Sequence, residues 1–370
     1  MMSDNIYMKL ALENAKAMIG QTGANPVVGC VIVRDGRVVG IGSHLKEGEP
    51  HAEIHALRMA GTLAKNATAY VTLEPCSHTG KTGPCANALV EAGVRKVIIA
   101  SLDPNPKVAG NGVKRLKDAG IEIETGLYGE EAFKLNEVFN YAIVNRRPFV
   151  TLKAAMSLDG KIATKTTHSK WITSSAARKD VHQLRSEHQG IVVGIETVLK
   201  DNPSLTARIP NGRNPVRVIV DSQLRIPLDC KVVTDNAAPT YLFTSAAPEH
   251  KEKEDQLKDL GIDVIYTSGQ QHVNLDDMMS SLFSRGIHSL LLEAGGTLNA
   301  AFIEQQLVQK YLIYVAPKLI GGKSARSFFE GEGIETMDSA IALTFAESSV
   351  IGPDLKITAY PDYKTRNPRD

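Results

Sequence analysis

The sequence predicts an α/β protein built as two domains. Apolar residues alternate between helical and strand spacing along both halves. The pattern is interrupted at Asn145-Arg146-Arg147-Pro148 and restarts at Phe149, and a proline disfavours helix at the residue before it. A chain of 370 residues, 43% hydrophobic and 22% charged, is long enough for two separate cores. The expected domains are residues 1–145 and 148–370.

In the first half, Ile6, Leu10, Ala11, Ala15 and Met18 recur at helical spacing. Val27 to Val33 and Val38 to Ile41 read as strands joined by Arg34-Asp35-Gly36, a hairpin signal because Asp-Gly accepts the positive φ of a tight turn. His51 to Ala60 predicts a helix stopped by Gly61, and Ala69 to Leu73 a strand. A loop from Glu74 to Gly83 follows, then Pro84 suits the first turn of a helix reaching Ala92. Val97 to Ala100 and Ile121 to Glu124 read as strands around a helix at Val113 to Ala119, and Glu130 to Asn145 as one last helix.

In the second half, strands are expected at Phe149 to Ala154, Ile191 to Val193, Val216 to Val220, Thr240 to Phe243, Val264 to Tyr266, Ser289 to Leu292 and Lys310 to Val315. Helices intervene at Ser175 to Glu187, Glu252 to Leu260, Leu275 to Ser284 and Thr297 to Gln306. No short repeat or low-complexity tract is present.

With 42 basic and 41 acidic residues the net charge is +1, which gives neither nucleic acid nor a membrane surface a global attraction. The first twenty residues carry Asp4, Lys9, Glu13 and Lys16, unlike a signal peptide, and no apolar run is long enough to span a bilayer. Four cysteines, Cys30, Cys76, Cys85 and Cys230, do not make a disulfide scaffold. These features predict a cytoplasmic protein.

The chemistry sits in a split pair of fragments: His51-Ala52-Glu53, then Pro75-Cys76 and Pro84-Cys85. One imidazole and two thiolates hold a zinc ion with the fourth tetrahedral position left for water. Zinc brings that water's pKa towards neutrality, and Glu53 is spaced to take its proton and hand one to a departing amine. This is the layout of zinc-dependent nucleobase deaminases. A zinc protease needs a glutamate directly after the first histidine, where Ala52 stands. A purely structural zinc needs a fourth side chain, for which His78 is available. Two unrelated buried cysteines are the plainest alternative. Cys30, inside an apolar run, reads as core, and Cys230 carries no assignment.

The match extends beyond these ligands. Asn25-Pro26-Val27-Val28-Gly29, Thr72-Leu73-Glu74-Pro75-Cys76-Ser77-His78, Gly80-Lys81-Thr82 and Asp103-Pro104-Asn105-Pro106 resemble the deaminase half of the bifunctional riboflavin-biosynthesis deaminase–reductase family. Thr151-Leu152-Lys153-Ala154-Ala155, Ser157-Leu158-Asp159-Gly160-Lys161, Lys170-Trp171-Ile172-Thr173, Asp201-Asn202-Pro203, Glu293 before Gly295-Gly296, and Ala316-Pro317-Lys318 resemble its reductase half. The resemblance covers essentially the whole chain. One departure is visible: Gly83 precedes Pro84-Cys85 where the family often has a second proline.

The resemblance implies a cytidine-deaminase-like α/β/α sandwich followed by a dihydrofolate-reductase-like α/β domain. It implies Zn2+ and NADPH as cofactors, a small-molecule pyrimidine ribosyl phosphate as substrate, and a homo-oligomer. In the first site, Asn25, Lys81, Asp103 and Asn105 would surround the pyrimidine. In the second, Ala155, Trp171, Thr197, Asp201, Ser222, Gly295 and Gly296 align with cofactor positions, and Ser169, Arg185, Leu205, Arg208 and Glu293 with substrate positions. Lys153, Asp201 and Glu293 are the candidate catalytic machinery of reduction. Arg185 and Arg208 suit a phosphate, whose oxygens match a guanidinium fork. Ser222 and Arg225 are local candidates for the 2′-phosphate of NADPH, with Asp221 beside them as a group favouring NADH. The competing reading is a deaminase of a base in RNA or of a nucleoside, with a C-terminal nucleotide-binding module; the near-neutral charge and the full second set of motifs oppose it. A non-catalytic zinc protein leaves Glu53 unexplained.

Overall fold

The computed structural model describes residues 2–77, 83–105, 109–245 and 250–363. By contact density the chain divides into two compact units, Met1–Arg147 and Pro148–Asp370.

The first unit runs α1 (Met2–Lys16), β1 (Gly29–Arg34), β2 (Arg37–Ser43), α2 (Ala52–Ala60), β3 (Thr68–Leu73), α3 (Cys85–Glu91), β4 (Lys96–Ser101), α4 (Asn111–Asp118), β5 (Glu122–Thr125), α5 (Gly129–Leu135) and α6 (Glu137–Asn145). Its sheet has the order β2-β1-β3-β4-β5. β1 is antiparallel to both β2 and β3, while β3, β4 and β5 are parallel. The start of β1 and the ends of β2, β3 and β4 therefore share one edge. Side chains on β1 alternate between two cores, as period-two geometry requires. Cys30 and Ile32 pack with α2, α3 and α4, whereas Val31 and Val33 pack with Met8, Ala11 and Leu12 of α1 and Ala132 of α5. The layers are helix, sheet and helix, and Cys30 is core, as expected.

Two glycines set α2 on the sheet. A Cβ at Gly42 would lie 2.1 Å from the Ala52 carbonyl oxygen, and one at Gly40 2.2 Å from that of Ala56. Only bare backbone lets the helix approach this closely, and the approach fixes where α2 begins.

The expected helix Glu130 to Asn145 is two helices, broken at Asn136. The buried Asn136 carboxamide accepts the Val27 N–H at 2.8 Å and donates to the Val27 carbonyl at 2.9 Å. A distant backbone segment claims this side chain, and helical spacing alone gives no sign of it.

The second unit contains β6 (Phe149–Ser157), α7 (Ser175–Glu187), β7 (Gly190–Gly194), α8 (Ile195–Asp201), β8 (Val216–Val220), α9 (Lys231–Thr234), β9 (Thr240–Thr244), α10 (Lys251–Asp259), β10 (Asp263–Tyr266), α11 (Leu275–Ser284), β11 (Ser289–Leu292), α12 (Gly296–Glu304), β12 (Lys310–Ala316), β13 (Ala342–Ile351) and β14 (Asp354–Asp362). The sheet order is β10-β9-β8-β7-β11-β6-β12-β14-β13. Strands β6 to β12 are parallel, and β14 and β13 add an antiparallel hairpin. One face is covered by α11 and α12, the other by α7, α8, α9 and α10. Cys230 is buried in that second core. The sequence reading missed α8, α9 and the β13–β14 hairpin.

Candidate active sites

His51 caps the N-terminus of α2, Cys76 follows β3, and Cys85 opens α3. The sheet edge brings all three together. His51 Nδ1 lies 3.3 Å from Cys85 Sγ and 3.6 Å from Cys76 Sγ, and the three donor atoms lie within 4.8 Å of one another. Ligands of a tetrahedral zinc stand about 3.5–3.8 Å apart when metal–ligand bonds are about 2.0–2.3 Å, so this donor set fits zinc. Among the described residues no fourth side-chain ligand joins it. His78 and Lys81 lie outside the described residues.

Glu53 sits in the first turn of α2 and is buried. Burial pushes its carboxyl up to about 7, with the Cys76 charge adding to the rise and His51 opposing it. A hydrogen bond from Cys85 holds the Cys76 thiol low, and a second comes from the Cys85 backbone N–H at 3.4 Å. The same hydrogen bond raises Cys85.

Of the predicted pyrimidine residues, Asn25, Asp103 and Asn105 lie in segments that border this edge. Asn25 precedes β1, and its Nδ2 donates to His44 Nε2 at 3.1 Å. His44 is buried, its Nδ1 faces the Pro50 carbonyl at 3.4 Å, and its ring meets that of His51 edge-on at 5.2 Å. Sequence reasoning missed His44, whose signal was only its proximity to His51. Asp103 follows β4 and accepts the Asn105 N–H at 2.8 Å.

In the second unit, the predicted residues lie on β6, in the Ser169–Trp171 loop, on α7 (Arg185), in the loop after α8 (Leu205 and Arg208), or just past the C-terminal ends of β7, β8 and β11. Ligands of open α/β sheets bind at that edge, where the strand order reverses. Lys153 and Ala155 are on β6; Thr197 and Asp201 on α8 after β7; Ser222 after β8; Glu293, Gly295 and Gly296 after β11. Glu293 accepts Arg185 Nε at 2.7 Å and Nη2 at 3.0 Å, and lies 3.8 Å from Lys153 Nζ. Burial alone would raise the Glu293 carboxyl, but Arg185 and Lys153 outweigh it and hold it at about 2. Burial lowers Lys153, and Glu293 partly restores it. Arg185 Nη1 also donates to the Thr206 carbonyl at 3.2 Å, tying α7 to the loop that carries Leu205 and Arg208. His182, one turn earlier on α7, is lowered by burial and then by Arg185 and Arg208, which places both guanidiniums in one electrostatic neighbourhood.

Asp201 takes a different partner, Lys170 at 3.2 Å. Trp171 is 63% exposed with the Arg178 guanidinium 4.4 Å over its ring. The two glycines differ. Gly295 is the N-cap of α12 with open space where a Cβ would be, so a pyrophosphate has room at the helix's free N–H groups. A Cβ on Gly296 would meet the Ser327 carbonyl and Glu330 at 2.5 Å, so that glycine serves packing. Ser222 Oγ accepts the Val273 N–H at 3.0 Å. Asp221 is buried and accepts the Ile226 N–H at 2.8 Å. It caps the turn that carries Ser222 and Arg225. Arg225 donates to Glu196 at 2.8 Å on the surface.

Comparison with known proteins matches this division. Residues 1–101 fit the cytidine and deoxycytidylate deaminase zinc-binding region, and residues 148–357 fit the RibD C-terminal domain. The riboflavin biosynthesis protein RibD of Bacillus amyloliquefaciens is 48% identical, with 97% of this chain and 96% of that protein covered. The structure of RibD from Acinetobacter baumannii superposes with a TM-score of 0.87 at 40% identity, covering 97% of this chain and 99% of that one. A diaminohydroxyphosphoribosylaminopyrimidine deaminase/5-amino-6-(5-phosphoribosylamino)uracil reductase from Thermotoga maritima gives 0.85 at 34% identity, with coverage of 97% and 99%. Likeness of this extent, carried through both halves, makes the chain a member of the RibD family of riboflavin biosynthesis proteins.

Proposed function

We infer that the chain is a bifunctional deaminase and reductase of riboflavin biosynthesis, with zinc and NADPH as its cofactors. The substrate is a diaminopyrimidinone carrying ribosylamine 5′-phosphate. The first step replaces its 2-amino group by oxygen; the second reduces the ribosyl unit to a ribityl chain. The observation that carries this reading is the presence on one chain of a three-donor cluster beside a buried glutamate and a Lys–Glu–Arg cluster at a second sheet edge.

In the first site, His51, Cys76 and Cys85 would hold zinc, which supplies Lewis acidity that lowers the pKa of a water. Glu53 takes one proton from the attacking water and delivers it to the ring nitrogen; the proton of the hydroxyl now on the carbon then passes to the amine nitrogen as the carbon–nitrogen bond breaks, leaving a ring carbonyl and releasing ammonia. A carboxyl at about 7 accepts and releases protons near neutral pH. Asn25, Lys81, Asp103 and Asn105 orient the ring.

In the second site, NADPH supplies a hydride when bound. Conversion of ribosyl to ribityl adds that hydride to C1′ and needs a proton on the ring oxygen that leaves it. Lys153 holds that proton, because its burial favours release. Glu293, ionised throughout the neutral range, orients Lys153 and Arg185 instead of donating. Arg185, Arg208, Ser169 and Leu205 receive the ribose phosphate. Ala155, Trp171, Thr197, Ser222 and Gly295 line the cofactor, Gly296 lets α12 pack against Ser327 and Glu330, and Asp201 steadies the Lys170-Trp171 segment. The domain division at residues 145–148 separates the two activities.

Among the described residues no helix is long and apolar enough to cross a membrane; a cytoplasmic setting keeps Cys76 and Cys85 reduced. The edge strand β13 exposes Phe345 and Val350, which supports a homo-oligomer. The near-neutral charge favours no nucleic-acid partner.

The test combines metal analysis with ammonia release. Cys76→Ser should lose its zinc. Glu53→Gln should keep zinc while ammonia release falls by about 10²–10⁴-fold or more. A full zinc equivalent in the first variant, or near-normal ammonia release in the second, would overturn the assignment.

A further inference from the structure

Glu74 is not a metal ligand, yet its carboxylate is committed to a single loop. It follows β3, one residue before Pro75-Cys76, and is 4% exposed. Oε2 accepts the backbone N–H groups of Asp103 at 3.3 Å and Gly110 at 3.0 Å. Oε1 accepts those of Gly112 at 2.9 Å and Val113 at 3.1 Å. The Glu74 N–H donates to the Ser101 carbonyl at 2.9 Å, which sets the residue beside the end of β4.

One buried anion therefore ties down both ends of the segment from Asp103 to the first turn of α4. A buried carboxylate is costly unless donors surround it, and the N–H groups at the start of a helix need acceptors, the buried Gly112 N–H most of all, so each side resolves the other's deficit. The contact is close as well as polar: a Cβ on Gly112 would lie 2.0 Å from the Pro75 carbonyl oxygen. The segment carries Asp103, which in turn accepts the Asn105 N–H at 2.8 Å.

We propose that Glu74 is a positioning residue for the deaminase substrate, acting through the Asp103–Val113 segment to hold Asp103 and Asn105 against the pyrimidine. This rests on the reading of Asp103 and Asn105 as ring-binding residues. The carboxylate sets the loop's distance from the sheet edge, so its effect falls on substrate affinity and leaves the metal cluster intact.

The test uses the full chain and reads kcat and KM of ammonia release, zinc content, and NADPH oxidation on the deaminated substrate as an internal control. Glu74→Gln turns an NH2 group towards two N–H donors. It should raise KM at least tenfold with kcat within threefold, one zinc retained and reduction unchanged. Glu74→Asp, which keeps the charge, should recover part of the loss. Zinc loss in step with activity, or an unaltered KM, overturns the proposal. Asp103→Ala separates the two layers. An unchanged KM there removes the ring-binding reading itself, whereas a raised KM there with none in Glu74→Gln removes only the role of Glu74. If Glu74→Gln does not fold, Gly112→Ala displaces the same segment from Pro75 and carries the same expectation, and an unaltered KM in it is equally decisive against the proposal.

Discussion

Glu293 grips Arg185 through both carboxylate oxygens while Lys153 Nζ stands 3.8 Å from the same carboxylate. One anion thus serves two cations that burial would otherwise set against each other, since Arg185 lowers Lys153 and Glu293 raises it. The geometry makes Glu293 the pivot of the Lys153–Glu293–Arg185 cluster.

Replacing Glu293 by Gln leaves two buried cations without their shared counter-charge, a change that typically costs about 3–5 kcal/mol. Reduction should fall in kcat/KM by roughly 100-fold or more, since 1.4 kcal/mol is about tenfold, while ammonia release stays normal. Steady-state assays of the two half-reactions on one preparation check this.

The same carboxylate makes the second half acid-labile. Its folded pKa of about 2 lies below the ordinary 4.5, so the native state favours the ionised form. The stabilisation is complete above about pH 4.5 and is lost as pH falls towards 2. Its size is on the order of 3 kcal/mol, from about 1.4 kcal/mol per unit. Urea midpoints of the reductase activity should drop between pH 5 and pH 3, and this slope should be shallower in Glu293→Gln.

Residues tied to chemistry by spacing were legible in the sequence. His51, Glu53, Cys76 and Cys85 needed only a histidine, an acid two residues on, and two cysteines after prolines. What tertiary partners dictate was not. Asn136 breaks a continuous helical pattern because the Val27 backbone, 109 residues away, claims its carboxamide. Glu74 reads as one letter of a motif, and its four donors lie 29 to 39 residues further on. Gly295 and Gly296 are adjacent and identical as letters, yet one faces open space and the other Glu330. The strand β13 is exposed along nearly all its length, so no apolar alternation announced it. Helix α8 buries only Ile195 and Val198, too little for a periodic signal.

Cofactor preference should favour NADPH over NADH. Asp221 is buried and one of its carboxylate oxygens is engaged by the Ile226 N–H within the turn. Arg225 stands on the surface after β8, held by Glu196 at 2.8 Å. Arg225→Ala should narrow the ratio of kcat/KM values, chiefly by raising KM for NADPH. Equal values for both cofactors in the unaltered enzyme count against the assignment.

Arg217 supports the loop that carries Ser204 and Leu205. Its side chain is 1% exposed and meets Asp235 at 2.7 Å. Its Nε donates to the Ser204 carbonyl at 2.9 Å, next to Leu205, which adopts a φ of 52°. Arg217→Ala strands a carboxylate and buried carbonyls, so about 3–5 kcal/mol should be lost. For a unit of this size each kcal/mol shifts Tm by about 2–4 °C, so reductase activity should disappear roughly 10 °C lower on heating. A shift within a degree or two would show that the loop needs no such anchor.

The last prediction concerns the independence of the halves. Every zinc-site residue precedes Asn145 and every reductase residue follows Pro148, and each unit has helices on both faces of its own sheet. A unit with a complete core can fold by itself. Glu53→Gln protein should therefore still oxidise NADPH when given the already deaminated ribosylaminopyrimidine phosphate. Lys153→Ala should fail in reduction while ammonia release continues, so the deaminated intermediate accumulates and is visible by mass spectrometry. Circular dichroism establishes first that both variants are folded. A well-folded Glu53→Gln protein unable to reduce the deaminated compound means that the sites share residues, or that the second half does not suffice for reduction, and the two-site description fails.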